Sequence, residues 1–165
     1  MATVNRRASL SMCLALAVLL GFGSSSSGLQ ARTASRFPSD ERVQELLELA
    51  LRFISRARCE NDQPCKPATE QEMRTPPVAM SHAREAVRTG FLSAVAEKCG
   101  LDYGEKFFLP MMSHFRRSVG LNERQLAILG LMHGIELGSS SKSLPKDACS
   151  PEMKRLLSQG RPALR

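Results

Sequence analysis

The sequence predicts an all-α fold: a small, disulfide-stapled bundle of four main helices plus a short C-terminal helix. Its composition is globular, with 42% hydrophobic and 24% charged residues. Leu, Ala, Met, Arg and Glu favour helices and are abundant, whereas aromatic residues make up only 5% of the chain. Apolar residues recur at spacings of three and four, which is the period of helices with one buried face.

Residues 1–31 match the pattern of a secretory signal peptide. Arg6 and Arg7 precede the apolar run CLALAVLLGF at 13–22, small residues follow it, and the segment contains no acidic residue. The run is too short for an ordinary membrane span, which needs about 20 residues, and we expect cleavage after Ala31. The arginine pair also allows a twin-arginine route, and organelle transit peptides share the Ser- and Arg-rich composition. The compact apolar run favours export.

Cleavage would leave a flexible segment at 32–38, a helical domain at 39–160 and a frayed tail at 161–165. It removes two of the 23 basic residues and none of the 16 acidic residues, so the mature chain carries a net charge of +5. That charge favours anionic partners, such as an anionic component of the cell envelope. The basic residues are interspersed with acidic ones and form no block, so we expect no nucleic-acid partner.

The first helix is predicted at 40–57. Ser39 is a typical N-cap, and two acidic residues follow it in the first turn. The apolar residues at helical spacing are Val43, Leu46, Leu47, Ala50, Ile54 and Ala57. Residues 58–79 contain four prolines and are predicted to form a loop, which is long enough to have a function of its own.

The second and third helices are predicted at 81–99 and 102–119. Ser81 is the expected N-cap of the second helix, and Gly100 follows its end. Pro110 lies inside the third helix and should kink it or shift its start.

The turn after the third helix has the clearest local pattern in the chain. Gly120 should adopt a left-handed conformation that ends the helix, Asn122 should cap the next one, and Gln125 should complete a capping box. The fourth helix, 123–137, is apolar nearly all round, which is typical of a centrally buried helix. A loop follows, and a short last helix is predicted at 151–159.

Gly130, Gly134 and Gly138 recur at every fourth position of the fourth helix. Each glycine costs a helix about 1 kcal/mol relative to alanine, so the stripe needs a physical reason. We expect it to allow close packing of another helix, and a ligand groove is the alternative. Gly138 could instead mark the end of the helix.

Four cysteines remain after cleavage: Cys59, Cys65, Cys99 and Cys149. An even number in a small exported domain predicts two disulfides. Of the three possible pairings we expect Cys59–Cys65, which closes a short loop, and Cys99–Cys149, which clamps the C-terminal region to the domain. The spacing matches no redox, haem or zinc motif.

Met111, Met132 and His133 are a candidate copper site. In an antiparallel hairpin of the third and fourth helices they lie at similar distances from the turn, whereas His114 lies nearer to it. Thioether and imidazole ligands suit copper. Methionine also fills irregular cores, and these two methionines lie on the apolar stripe, so we favour core packing. No other cofactor is indicated.

The sequence lacks HExxH, GxSxG and the glycine-rich phosphate and dinucleotide motifs. Because every mature cysteine is assigned to a disulfide, a thiol enzyme is also disfavoured. We therefore expect a non-enzymatic, exported binding or accessory protein, located in the periplasm, that acts on a protein or envelope partner. The alternatives are a periplasmic copper-binding protein and a secreted factor that interacts with a host. No transmembrane span is expected in the mature chain.

Overall fold

The computed structural model describes residues 37–159; the predicted signal peptide at 1–31 and the tail at 161–165 lie outside the described residues. The described chain is all-helical and has no β-strand. One isolated antiparallel bridge joins Arg58 and Pro64. The predicted all-α fold is confirmed.

The described chain contains six α-helices in addition to short 3₁₀ and π-helical turns. The α-helices are α1 (Asp40–Arg52), α2 (Glu70–Arg74), α3 (Met80–Lys98), α4 (Leu109–His114), α5 (Glu123–Ser143) and α6 (Pro151–Ser158). The 3₁₀ turns span Ile54–Arg56 and Glu60–Asp62, and the π-helical turns span Gly104–Phe108 and Phe115–Val119.

Helix α1 begins as predicted but ends at Arg52 rather than at residue 57. The Ser39 hydroxyl accepts a hydrogen bond from the Arg42 N–H at 3.2 Å, which is the expected cap. Phe53 leaves the helical conformation, and a 3₁₀ turn continues the chain. Ile54 is still fully buried, so the predicted apolar face is preserved across the break.

Helices α3 and α5 run parallel to each other and form the centre of the domain. Near their starts, the Gln125 amide donates to the carbonyl of Pro77 at 2.6 Å. Near their ends, the Ser141 hydroxyl donates to the Glu97 carboxylate. Helix α1 packs antiparallel to α5. Arg42 near the start of α1 forms an ion pair with Glu136 in the second half of α5, and Ala57, which follows α1, lies beside the start of α5 near Leu126.

Helices α3 and α5 are in close contact at Gly90. A Cβ atom built on Gly90 would lie 2.6 Å from the carbonyl oxygen of His133 and 3.0 Å from the Cβ of Glu136. A contact under 3.0 Å forces one of the two groups to move, so any larger residue would push the two helices apart. The sequence reasoning did not identify this glycine.

Helix α3 begins at Met80, and the prediction that Ser81 caps it was wrong. Ala79 occupies the N-cap position and provides no side-chain hydrogen bond. The contact between Gln125 and the Pro77 carbonyl fixes the chain just before the helix, so a tertiary contact supports this start in the absence of a cap.

The third and fourth predicted helices form the predicted antiparallel hairpin. Arg116 pairs with Glu123 at 3.0 Å near the turn, and the ring of Phe108 lies 4.8 Å from the ring of His133 farther away. Gly120 is left-handed, with φ of 77°, as predicted.

The predicted capping box at the start of α5 is also present. The Asn122 side chain accepts from the backbone of Gln125, and the Gln125 side chain accepts from the backbone of Asn122.

The third helix is not a regular α-helix, because π-helical turns flank α4 on both sides. The N–H of Leu109 bonds to the carbonyl of Gly104, five residues back. Pro110, which has no N–H to donate, follows directly. The sequence indicated an irregularity at Pro110 but not its π-helical form.

Helix α5 extends to Ser143, so the predicted end at residue 137 was wrong and Gly138 is not the helix terminus. Serine hydroxyls in the extra turns bond within the helix: Ser140 donates to the Glu136 carboxylate at 2.6 Å, and Ser139 donates to the Glu136 carbonyl at 3.1 Å. Tertiary contacts to these turns outweigh the weak helix propensity of serine.

Residues 58–79 are more ordered than the predicted loop. They include α2, whose capping box joins Thr69 and Glu72. Arg124 of α5 holds this segment in place: it bonds to both carboxylate oxygens of Glu72 at 2.6 and 2.8 Å and to the carbonyl of Lys66 at 2.8 Å.

Both predicted disulfides are confirmed. Cys59 and Cys65 close the start of the 58–79 segment, with an S–S distance of 2.08 Å. Cys99 and Cys149 join the end of α3 to the chain before α6, with an S–S distance of 2.02 Å. Beside this second disulfide, Leu157 of α6 belongs to a small apolar cluster separate from the main core.

Candidate binding groove

An open groove lies along the face of α5 that carries Gly130 and Gly134. We call it the α5 groove. Its volume of about 470 Å³ is in the range of sites that bind small molecules. Phe108, Met112 and Arg116 form one wall, and their spacing of four residues places them on one side of the hairpin.

The other lining residues come from α5 and from the chain that follows α1. The apolar residues of α5 are Leu126, Ala127, Leu131 and Ile135. Ala57, Arg58 and Glu123 complete the lining. The helix that the sequence predicts to be centrally buried therefore keeps one apolar face open among the described residues.

Charge in the α5 groove is confined to one end. Arg116 pairs with Glu123 at the start of α5. Because α1 runs antiparallel to α5, Arg58, which follows α1, lies at the same end. Phe108 and Ile135 lie toward the opposite, apolar end, and the distance along α5 from Glu123 to Ile135 is about 18 Å at 1.5 Å per residue.

The two arginines have donors left for a ligand. Arg58 is exposed and donates one hydrogen bond, from Nη1 to the carbonyl of Asp62 at 3.1 Å. Arg116 is 58% exposed and bonds to Glu123 through Nη2. Since a guanidinium has five N–H donors, both arginines can donate hydrogen bonds to a further anionic group. The two arginines and Glu123 together carry a net charge of +1.

Within residues 37–159 no other helix packs closely against the glycine stripe, so the expected close packing is not found there. A Cβ on Gly130 would meet only the Cε of Met112, at 3.9 Å, and Cβ atoms on Gly134 and Gly138 would meet no described atom within 4 Å. Gly130 and Gly134 line the α5 groove, whereas Gly138 is exposed and lies outside it. That these glycines hold a ligand stays a prediction.

Met111, Met132 and His133 lie in the interior of the domain, with exposures of 1%, 0% and 2%. Both methionines belong to the main apolar core. Nε2 of His133 lies 2.9 Å from the Ser93 hydroxyl, and Phe108 lies against the His133 ring. Burial lowers the pKa of His133 to about 4, so its ring is neutral at pH 7.

Among residues 37–159, no three His, Cys, Asp or Glu side chains are grouped so that they could hold a metal ion. Copper binding by Met111, Met132 and His133 stays a prediction, and it would require Nε2 of His133 to give up Ser93 or the ring to bind through Nδ1. His114 is exposed and is not part of this group.

A second cavity, of about 480 Å³, lies around the Cys59–Cys65 loop. Its charged lining includes Arg124 and Glu72, whose ion pair already joins two segments of the chain. The hydrogen bond from Arg124 lowers the pKa of Glu72 to about 2. This ion pair thus helps to hold the fold together, and Glu60 and Lys66 are the other charged residues of the lining.

The sequence reasoning missed Arg58 and Arg116 as groove residues. The sequence did contain a signal for Arg116. Residues 108, 112 and 116 are spaced by four and so lie on one side of a helix, and only the last of them is charged. Arg58 had no local signal, because its place at the groove depends on how α1 packs on α5.

Comparison with known proteins gives no relatives: no protein-family model, no curated protein and no solved structure matches the chain. None of the helices within residues 37–159 combines the length and apolarity needed to cross a membrane.

Proposed function

We propose that the protein is an exported, non-enzymatic binding protein that acts on a partner in the cell envelope and holds an apolar part of that partner in the α5 groove. The observation that carries the proposal is the uncovered apolar face of a central helix, where Gly130 and Gly134 line an open groove. Concave grooves of this volume that are lined mainly by apolar side chains are the usual form of small-molecule sites.

Two further features support export to the periplasm. Both disulfides belong in an oxidising compartment, where small domains use them for stability. The pattern of residues 1–31 favours a cleaved signal peptide. Expression of the full chain followed by N-terminal sequencing of the periplasmic fraction tests this part, with Arg32 as the expected first residue.

The groove is tested with a neutral apolar fluorophore, N-phenyl-1-naphthylamine, whose emission rises in an apolar site. We expect one site per chain in the mature protein. Gly134→Leu should abolish binding by filling the groove, and should leave the fold intact because a Cβ there meets no described atom. Gly138→Leu is the matched control on the same helix and should bind normally.

Equal binding by the wild type and both variants would place the probe elsewhere and contradict the proposal. So would no binding by a wild type that circular dichroism shows to be folded.

A further inference from the structure

We infer that the α5 groove binds a single-chain anionic amphiphile, a fatty acid, with its carboxylate at Arg58 and Arg116 and its chain along Gly130 and Gly134. The inference rests on the proposed function and names the ligand class of the same groove. It follows from three properties of the groove: where its charge lies, what its long side is made of, and how large it is.

The distribution of charge in the groove matches a ligand that has a charged head and an apolar tail. All three charged lining residues lie at the end of the groove where α5 begins, and two of them are arginines. Guanidinium groups bind carboxylates through paired N–H donors. The helix start adds partial positive charge at the same end. If the ligand were an amphipathic helix with acidic residues along its length, the groove would need basic residues along its whole rim, whereas its basic lining residues lie at one end.

The long side of the groove suits an alkyl chain. Gly130 and Gly134 lie one turn apart and have no side chain, so a ligand can reach the helix backbone there. Phe108, Met112 and Leu131 border this strip with flexible or flat apolar surfaces. The strip offers no polar side chain beyond the charged end, so a second polar group on the ligand would find no partner.

The size of the groove fits one chain. A volume of about 470 Å³ lies in the lower half of the range for small-molecule sites, about 300–1,000 Å³. The length of about 18 Å along α5 matches an extended alkyl tail. A two-chain lipid would leave one chain outside this groove.

The test measures equilibrium binding of dodecanoate, decanoate and dodecyltrimethylammonium to the mature protein, each below its aggregation concentration. Dodecanoate and dodecyltrimethylammonium have equal tails and opposite head charges. We expect dodecanoate to bind about tenfold more tightly than the cation, which corresponds to two partly exposed ion pairs. Decanoate, two methylenes shorter, should bind up to about fifteenfold more weakly than dodecanoate.

Variants of the protein test where the head and the tail of the ligand bind. Arg58→Gln should remove most of the preference for the anionic head, whereas Arg117→Gln, a change at an exposed arginine outside the groove lining, should leave it unchanged. Gly134→Leu should abolish binding of all three amphiphiles, and Gly138→Leu should not. Circular dichroism of each variant confirms that it is folded.

The outcomes separate this inference from the proposed function. Equal affinity for the anionic and cationic amphiphiles, with binding lost in Gly134→Leu, overturns the inference that the ligand is anionic and leaves the groove as the binding site. Binding of an acidic amphipathic helical peptide in the groove, without binding of dodecanoate, makes a protein segment the occupant. A wild-type dimer that Gly134→Leu converts to a monomer makes a second copy the occupant. Binding of neither the amphiphiles nor the neutral fluorophore overturns both.

Discussion

Replacing Gly90 by alanine tests how α3 and α5 are held together. The added Cβ would lie 2.6 Å from the carbonyl oxygen of His133, about 0.8 Å closer than the ordinary contact limit of 3.4 Å, and 3.0 Å from the Cβ of Glu136. Both neighbours belong to a buried stretch of α5 and cannot rotate away like the end of a flexible side chain. The two helices must therefore separate.

The expected cost is the difference of two effects. Overpacking of a well-packed core costs about 1–3 kcal/mol, and replacing a helical glycine by alanine returns about 0.5–1 kcal/mol. With the middle of each range, about 2 and about 0.75 kcal/mol, we expect Gly90→Ala to lower the free energy of unfolding by about 1.3 kcal/mol. For a domain of this size that corresponds to a fall in Tm of about 3–8 °C.

The assay is urea denaturation of the mature, disulfide-bonded protein, followed by circular dichroism. Gly134→Ala is the matched control, because its Cβ meets no described atom within 4 Å, and it should raise stability by about 0.5–1 kcal/mol. If Gly90→Ala proves as stable as Gly134→Ala, the close contact between α3 and α5 does not exist as described and the reasoning fails.

Three further predictions concern the loop, the core histidine and the disulfides. Arg124→Ala should lower the free energy of unfolding by about 1–2 kcal/mol and speed proteolysis within 58–79. Because Arg124 lowers the pKa of Glu72 to about 2, the wild type should lose stability as the pH falls from about 5 to 2, and the variant should lose less over the same range. Burial lowers the pKa of His133 to about 4, so as the pH falls His133 is protonated in the unfolded chain before it is protonated in the folded chain. The free energy of unfolding should therefore drop by up to about 3 kcal/mol between pH 6.5 and 4. Thiol titration should find no free thiol in the mature chain and one, Cys13, in the unprocessed chain.

Matched variants control these measurements. Arg117→Ala removes an exposed arginine and should leave both stability and loop proteolysis unchanged. His114→Gln removes an exposed histidine and should keep the pH dependence, whereas His133→Gln should lose it. A pH profile that His133→Gln leaves unchanged would contradict the buried neutral histidine, and a free thiol in the mature chain would contradict the pairing.

Local patterns in the sequence predicted local structure well. Ser39, Gly120 and the pair Asn122 and Gln125 take their predicted roles because caps and left-handed turns depend on hydrogen bonds within a few residues. The same kind of pattern was overlooked at Thr69, where a capping box begins α2. A search for that motif would have found this helix.

Features that depend on packing could not be predicted in the same way. Glycine in a helix signals that something approaches, but the sequence does not say which glycine meets a backbone and which faces a groove. Gly90 meets α5, whereas Gly130 and Gly134 line open space. The end of α5 was also missed, because contacts from α1 and α3 outweigh the weak helix propensity of its serine-rich end.

The most direct test of the central claim is amide chemical-shift mapping of the labelled mature protein during titration with dodecanoate. The account predicts saturable shifts that are largest at Gly130 and Gly134, with further shifts at Arg58 and Arg116, and little change at Gly138. Shifts that cluster around α6 and Leu157, or that never saturate, would show that the α5 groove is not the binding site.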